Sequence, residues 1–170
     1  MNFEKKSLWI CALLTLVSAA ASADNGPASR PATKADLVGV WDLVSVRPVY
    51  DKKDPVFFPY QRFVFKADSS MKTMVSTEPF SKEWLAKFEK QSSEIDYTVS
   101  DKGLLTLIWQ NRPHSETAVC AFVLKGVPPE VLAKVPPGER NSLPKKGNIA
   151  LSFLNSEGKI AYRKILAKIA

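Results

Sequence analysis

The chain has 170 residues, and its 24 Lys and Arg against 17 Asp and Glu give a formal net charge of +7. It contains two cysteines and one histidine. A single histidine disfavours both a multi-histidine metal site and a Ser-His-Asp triad.

Residues 1–23 have the pattern of an export signal. Lys5 and Lys6 form a basic region, Leu8 to Val17 is an apolar run, and Ala21-Ser22-Ala23 is a small-x-small cleavage site. The apolar run is shorter than the roughly 20 residues that a transmembrane helix needs. We therefore predict cleavage after Ala23, a periplasmic or secreted location and no transmembrane segment. Cleavage would leave one cysteine and hence no internal disulfide.

Two regions follow the predicted signal. Residues 24–36 are rich in Ala, Ser and Pro without apolar rhythm, which predicts a flexible N-terminal segment. Residues 37–170 have the length of one domain with a single core.

The domain consists mostly of short β-branched and aromatic runs separated by turn residues, a pattern typical of all-β proteins. The predicted strands are 40–46, 60–66, 71–76, 94–100, 104–110, 117–125, 148–155 and 159–169. One helix is predicted over 81–90, because Phe80, Trp84 and Phe88 recur every four residues among charged side chains. Asp101-Lys102-Gly103 is a strong turn, since glycine adopts the positive φ that a tight hairpin needs.

About eight strands in chain order predict an antiparallel meander barrel with one inserted short helix. A barrel of eight strands is either filled by side chains or holds one small ligand. A two-sheet sandwich with the same number of strands is the alternative fold.

The run Leu37 to Ser45, with Gly39 and Trp41 as a Gly-x-Trp motif, resembles the first strand of the calycin group. This group includes lipocalins, fatty-acid-binding proteins and bacterial lipocalin-like domains. Residues 63–77 and 97–107 also resemble the bacterial branch. The resemblance implies a barrel whose floor is closed by an arginine lying across the tryptophan, here Arg163, with Gly39, Trp41 and Arg163 serving the fold. It also implies binding of a small hydrophobic molecule. The proline-rich stretch 126–147 is not typical of the family.

Strand alternation places many aromatic side chains on one face, where a cavity would use some of them as its lining. In a filled barrel the same side chains would pack as core, and Trp84 and Phe88 are candidate lid residues. The candidate ligand-binding residues are Phe63, Phe65, Trp84, Phe88, Tyr97, Trp109 and Phe122.

The remaining reactive side chains have ordinary structural explanations. His114 lies in a predicted turn beside Glu116, Cys120 lies in an apolar run, and Met71 and Met74 fall on opposite faces of a strand. We therefore predict no catalytic residue, no metal and no cofactor.

Two functions remain. The leading one is an exported, non-enzymatic protein that holds a small hydrophobic or amphiphilic ligand in its barrel. The alternative is an accessory or interaction subunit of a cell-envelope complex, with a filled barrel, that binds through 126–147 and 48–59 with Phe57 and Phe58 as anchors.

Basic residues are expected on the surface, where they favour an acidic envelope protein or an anionic lipid surface over nucleic acid. They are Lys52, Lys53, Lys145, Lys146, Lys159, Arg163, Lys164 and Lys168.

Overall fold

A closed antiparallel β-barrel forms the body of the protein. The computed structural model describes residues 28–48 and 58–169. Eight strands each pair with the next in sequence, and the last pairs back with the first, so the predicted all-β meander barrel is confirmed. The barrel strands are β2 (Gly39–Pro48), β3 (Tyr60–Phe65), β4 (Ser70–Ser76), β5 (Ile95–Val99), β6 (Leu104–Trp109), β7 (Ser115–Val123), β8 (Ile149–Leu154) and β9 (Ile160–Lys168).

Shorter elements accompany the eight barrel strands. Strand β1 (Ser29–Pro31) pairs with the end of β7. The helices are α1 (Lys34–Leu37), α2 (Lys82–Lys90), α3 (Pro129–Leu132) and a 3-10 helix (Pro137–Ser142). The predicted export signal and Phe57 lie outside the described residues.

Side-chain alternation fills one half of the barrel. On β3, Phe63 and Phe65 are buried inside while the intervening Val64 faces outward, as the period of two along a strand requires. In the filled half, Tyr97 packs edge-to-face against Phe65 at 5.1 Å and donates a hydrogen bond to the carbonyl of Lys66 at 2.7 Å. The largest side chains with less than 2 % exposure are Trp41, Tyr97, Phe65, Leu37, Met71, Leu105, Ile149, Leu151, Leu166 and Cys120.

The segment that precedes β2 closes this filled end of the barrel. Thr33 and Asp36 form a capping box at the start of α1, and Asp36 also accepts two 2.7 Å hydrogen bonds from Arg30. Leu37, the last residue of α1, is fully buried and its carbonyl accepts from the indole of Trp41 at 2.6 Å. Within the stretch 24–36 for which a flexible segment was predicted, the structure has β1 (Ser29–Pro31) and most of α1 (Lys34–Leu37).

Gly39 and Trp41 have a structural role, but their basic partner is not Arg163. The register pairs Trp41 with Lys168, whose Nζ lies 5.5 Å from the center of the indole ring. Gly39 has φ +136°, and a Cβ there would meet Lys168 Cε at 2.7 Å. Arg163 instead pairs with Arg47 near the other end of β2. The prediction that Arg163 lies across Trp41 is therefore corrected to Lys168.

Helix α2 lies on the outside of the barrel wall. Lys72, which pairs with outward-facing Val64, donates hydrogen bonds to the carbonyls of Phe88, Glu89 and Gln91 at 2.5, 2.9 and 3.1 Å. These carbonyls lie at the end of α2, where no following helical turn supplies donors. That of Phe88 also accepts from the backbone N–H of Gln91 at 3.2 Å. Lys72 therefore fixes the helix to β4, and α2 does not cap the open end of the barrel.

The proline-rich segment also lies against the wall. Ser45 and Arg47 on β2 donate to the carbonyl and the hydroxyl of Ser142, at 2.9 and 3.1 Å. Two apolar side chains of this segment, Val135 and Leu143, are buried. The segment leaves β7 and enters β8 at the filled end, and its Ser142 lies against Ser45 and Arg47 farther along β2.

Candidate functional site

The candidate site is a cavity of about 140 Å³ inside the unfilled half of the barrel. It lies where β3, β5, β7 and β9 begin, so its walls come from the first residues of these strands and the last residues of β4, β6 and β8. The lining residues are Gln61, Phe63, Met71, Thr73, Val75, Ile95, Leu107, Trp109, Glu116, Phe153, Tyr162 and Lys164. Most of the lining is apolar or aromatic, with few polar groups, as in small-molecule sites generally.

A break in the sheet leaves one side of this cavity open. Strands β4 and β5 pair only at Ser70–Asp96 and Met71–Ile95, and the rest of β4 has no partner on that side. Val75, which pairs with inward-facing Gln61, is consequently 44 % exposed. Within residues 28–48 and 58–169, the cavity is open at the barrel end and at the gap beside β4.

Lys164 places a positive charge among aromatic rings in this cavity. Its Nζ lies 5.1 Å from the ring center of Phe63, 5.3 Å from that of Phe153 and 5.6 Å from that of Tyr162. Phe153 and Tyr162 are themselves stacked at 4.6 Å. Among the described residues, Lys164 has no ion-pair partner. Burial lowers its pKa to about 8, and Glu116 opposes this effect.

Gln61 contributes an unsatisfied acceptor to the same cavity. The residue is 4 % exposed, and its Nε2 donates to the carbonyl of Phe58 at 2.9 Å. This bond fixes the orientation of the amide and leaves Oε1 buried without a donor from the described chain. An unpaired buried acceptor is destabilising by about 1–3 kcal/mol. A ligand that donates a hydrogen bond to Oε1 removes this cost, which makes its binding free energy more favourable by about that amount.

Two further titratable groups, Glu116 and Tyr162, line the cavity. Glu116 is half-buried, and its Oε1 lies 3.3 Å from His114 Nε2 at the rim. Burial raises the pKa of Tyr162 above its ordinary value, and Glu116 adds to the effect, so the phenol stays neutral at physiological pH.

The predicted ligand-binding residues separate into four places. Phe63 and Trp109 line the cavity, whereas Phe65 and Tyr97 belong to the filled core. Phe122 lies at the filled end beneath the guanidinium of Arg30, 4.9 Å from its ring center.

Trp84 and Phe88 lie on the outside of the barrel. With Thr73, Met74, Lys87 and Gln91 they line an open groove of about 310 Å³ beside α2. Trp84 is 50 % exposed and Phe88 is buried. The prediction that these two side chains act as a lid on the barrel is therefore corrected.

The other side chains with reactive chemistry are dispersed. Met71 lies in the core and Met74 in the outer groove, so they cannot share one ion. Cys120 is buried and free, and burial raises the pKa of its thiol to about 12. In the ranges 28–48 and 58–169, no three His, Cys, Asp or Glu side chains cluster as metal ligands would.

Sequence reasoning missed Lys164, Gln61, Phe153 and Tyr162 as members of one site. Lys164 was expected on the surface with the other basic residues of β9. Alternation along β9 groups Tyr162, Lys164, Leu166 and Lys168 on one face, and this mixture of polar and apolar side chains does not show which face is internal.

Comparisons with protein-family models, with curated proteins and with solved structures found no match to this chain. No helix in the described part of the chain is both long and apolar enough to cross a bilayer.

Proposed function

We propose that this chain is an exported, lipocalin-like binding protein that holds a small amphiphilic ligand in the open half of its barrel. The observation that carries the proposal is the cavity, in which aromatic walls surround one cation and one free acceptor, while the Glu116 carboxylate faces His114 at the rim. Such a lining favours a molecule with an apolar body and an acidic end.

The size of the cavity limits the apolar part of the ligand. A volume of about 140 Å³ is close to that of a cavity of about 150 Å³ that binds benzene in another protein. We therefore expect one ring or a short alkyl chain rather than a long lipid.

The polar groups determine which end of the ligand enters. A carboxylate beside Lys164 would form the ion pair that the described chain does not supply, and a hydroxyl group could donate to Oε1 of Gln61. A charged hydrogen bond of this kind contributes about 1.5–3 kcal/mol, or roughly a 10- to 100-fold difference in Kd.

Benzoate and benzyl alcohol test this proposal as a pair with the same ring and different charge. We expect benzoate to raise the melting temperature in a concentration-dependent way, because a ligand that binds only the folded state stabilises it. Lys164→Met should weaken benzoate binding at least 10-fold in calorimetry and leave benzyl alcohol binding within about 2-fold. Lys87→Met, a change of an exposed lysine outside the barrel, is the matched control.

A protein that binds neither compound would contradict the proposal. The interaction subunit would then be favoured, with Phe58 as its first candidate anchor, because this side chain is exposed close to the start of β3. Its test is loss of a co-purifying envelope protein in Phe58→Ser with the circular dichroism spectrum unchanged.

A further inference from the structure

We propose that Lys164 is also a covalent site, at which the lysine amine condenses reversibly with a single-ring or short-chain aldehyde that enters the open half of the barrel. This activity goes beyond the proposed binding function, because it forms a bond and requires a carbonyl carbon rather than an acid. Three features carry it: the position of Nζ in the cavity, the absence of an ion pair with any residue that the structure describes, and the aromatic surroundings.

The surroundings of Lys164 leave its amine accessible to a ligand. Across the barrel wall it pairs with Val46 on β2 and Leu151 on β8, neither of which can bind the ammonium. Among the residues that the structure describes, the titratable groups facing it are Glu116 from β7 and Tyr162 from its own strand. Glu116 is not within ion-pair distance of Nζ and instead contacts His114.

The protonation state favours nucleophilic attack by this lysine over exposed ones. Only the neutral amine attacks a carbonyl, and desolvation in an apolar pocket is an established way of activating lysine. With a pKa of about 8, half of the Lys164 amines are neutral at pH 8. A lysine with an unperturbed pKa of about 10.4 is then neutral in well under about 1 % of molecules, which is roughly a 100-fold difference.

The reaction is balanced without an oxidant or a reductant. Nζ forms a bond to the aldehyde carbon, and the carbonyl oxygen takes up a proton to give a carbinolamine. The carbon–oxygen bond then breaks, and the oxygen leaves as water with the two hydrogens of the amine, so that a carbon–nitrogen double bond remains. When this imine is protonated, its positive charge occupies the position of the ammonium among Phe63, Phe153 and Tyr162.

Benzaldehyde with sodium cyanoborohydride, added to the full chain at pH 8, tests the inference. Cyanoborohydride reduces the imine to a stable benzylamine, whose position is found by peptide mass spectrometry. Lys87 and Lys159 are internal controls, since both are exposed and each pairs with a glutamate. We expect Lys164 to be benzylated at least 10-fold faster than either control. Its rate should rise with pH up to about 8 and then level off, whereas the rates of the controls should continue to rise.

The labelling ratio in the wild-type chain decides the inference without a variant. Labelling of Lys164 less than 10-fold faster than Lys87 overturns it, and labelling at least 10-fold faster supports it. Lys164→Arg, which keeps the charge but forms no imine, should remove the fast product. Benzoate binding measured on the same preparation separates the two proposals: benzoate bound without benzylation of Lys164 overturns only the covalent site.

Discussion

Replacing Lys164 with methionine should stabilise the protein at pH 7, and the gain should disappear as the pH rises. The pKa of Lys164 is about 8 in the folded chain, against an ordinary value of 10.5. At about 1.4 kcal/mol for each pKa unit, keeping the charge buried is unfavourable by about 3 kcal/mol. Attraction to the rings of Phe63, Phe153 and Tyr162 opposes this by up to about 2 kcal/mol. The expected gain in Lys164→Met is therefore about 1–3 kcal/mol.

The pH dependence follows from the lowered pKa. Below pH 8 both the folded and the unfolded states carry the proton, so the full difference between wild type and variant is present. Between pH 8 and 10.5 the unfolded state binds more protons, and the stability of the wild type rises relative to that of the variant. Above pH 10.5 the amine is neutral in both states and the electrostatic gain is lost.

Urea unfolding of wild type, Lys164→Met and Lys87→Met at pH 7, 8, 9 and 10 measures this difference. The raised pKa values of Cys120 and Tyr162 also make the stability depend on pH, and subtracting the wild-type curve removes their contribution. Lys87→Met should differ from wild type by less than about 0.5 kcal/mol at every pH. A difference for Lys164→Met that does not change with pH, or a variant less stable than wild type at pH 7, would refute the reasoning.

Three other predictions concern the barrel's support. Gly39→Ala should lower the free energy of unfolding in urea by about 1–3 kcal/mol, because the positive φ strains alanine and the new Cβ displaces Lys168; an unchanged midpoint would contradict this. Asp36, whose pKa is held well below its ordinary value by Arg30, contributes stability that is present above the unfolded pKa of about 3.9 and is lost as the pH falls through the folded pKa. Asp36→Asn should therefore lower the melting temperature at pH 6. Below pH 4 the melting temperature of the variant should fall less steeply with pH than that of wild type, and equal slopes would count against this prediction. Lys72→Met should remove the lysine donor from three carbonyls at the end of α2, so amide exchange in the last turn of α2 should accelerate roughly 10-fold, with exchange in β6 as the control.

Local patterns predicted the elements well. The strand at 60–66 was expected from alternation and is observed as Tyr60–Phe65, and the helix at 81–90 is observed as Lys82–Lys90. Gly103 has φ +73° in the predicted turn, and a Cβ there would meet the carbonyl of Cys120 at 2.4 Å. These features depend on interactions within a few residues, which a sequence shows directly.

The candidate site could not be predicted in the same way. Lys164 reaches the cavity because β9 pairs with β2, a strand more than a hundred residues earlier in the chain. A register shift between Leu43 and Ser45 changes which residues of β2 face inward, so Leu43 and Val46 oppose Leu166 and Lys164. No local pattern marks this irregularity.

The sequence by itself determined the strands, the inserted helix and the turns, because their periods and glycine positions are local properties. Only the tertiary structure decided that Lys168 rather than Arg163 meets Trp41, and that Lys164 is enclosed with Phe63 and Gln61. The physical reason is that closing a barrel sets the register between distant strands, and a shift of one residue moves every side chain to the opposite face.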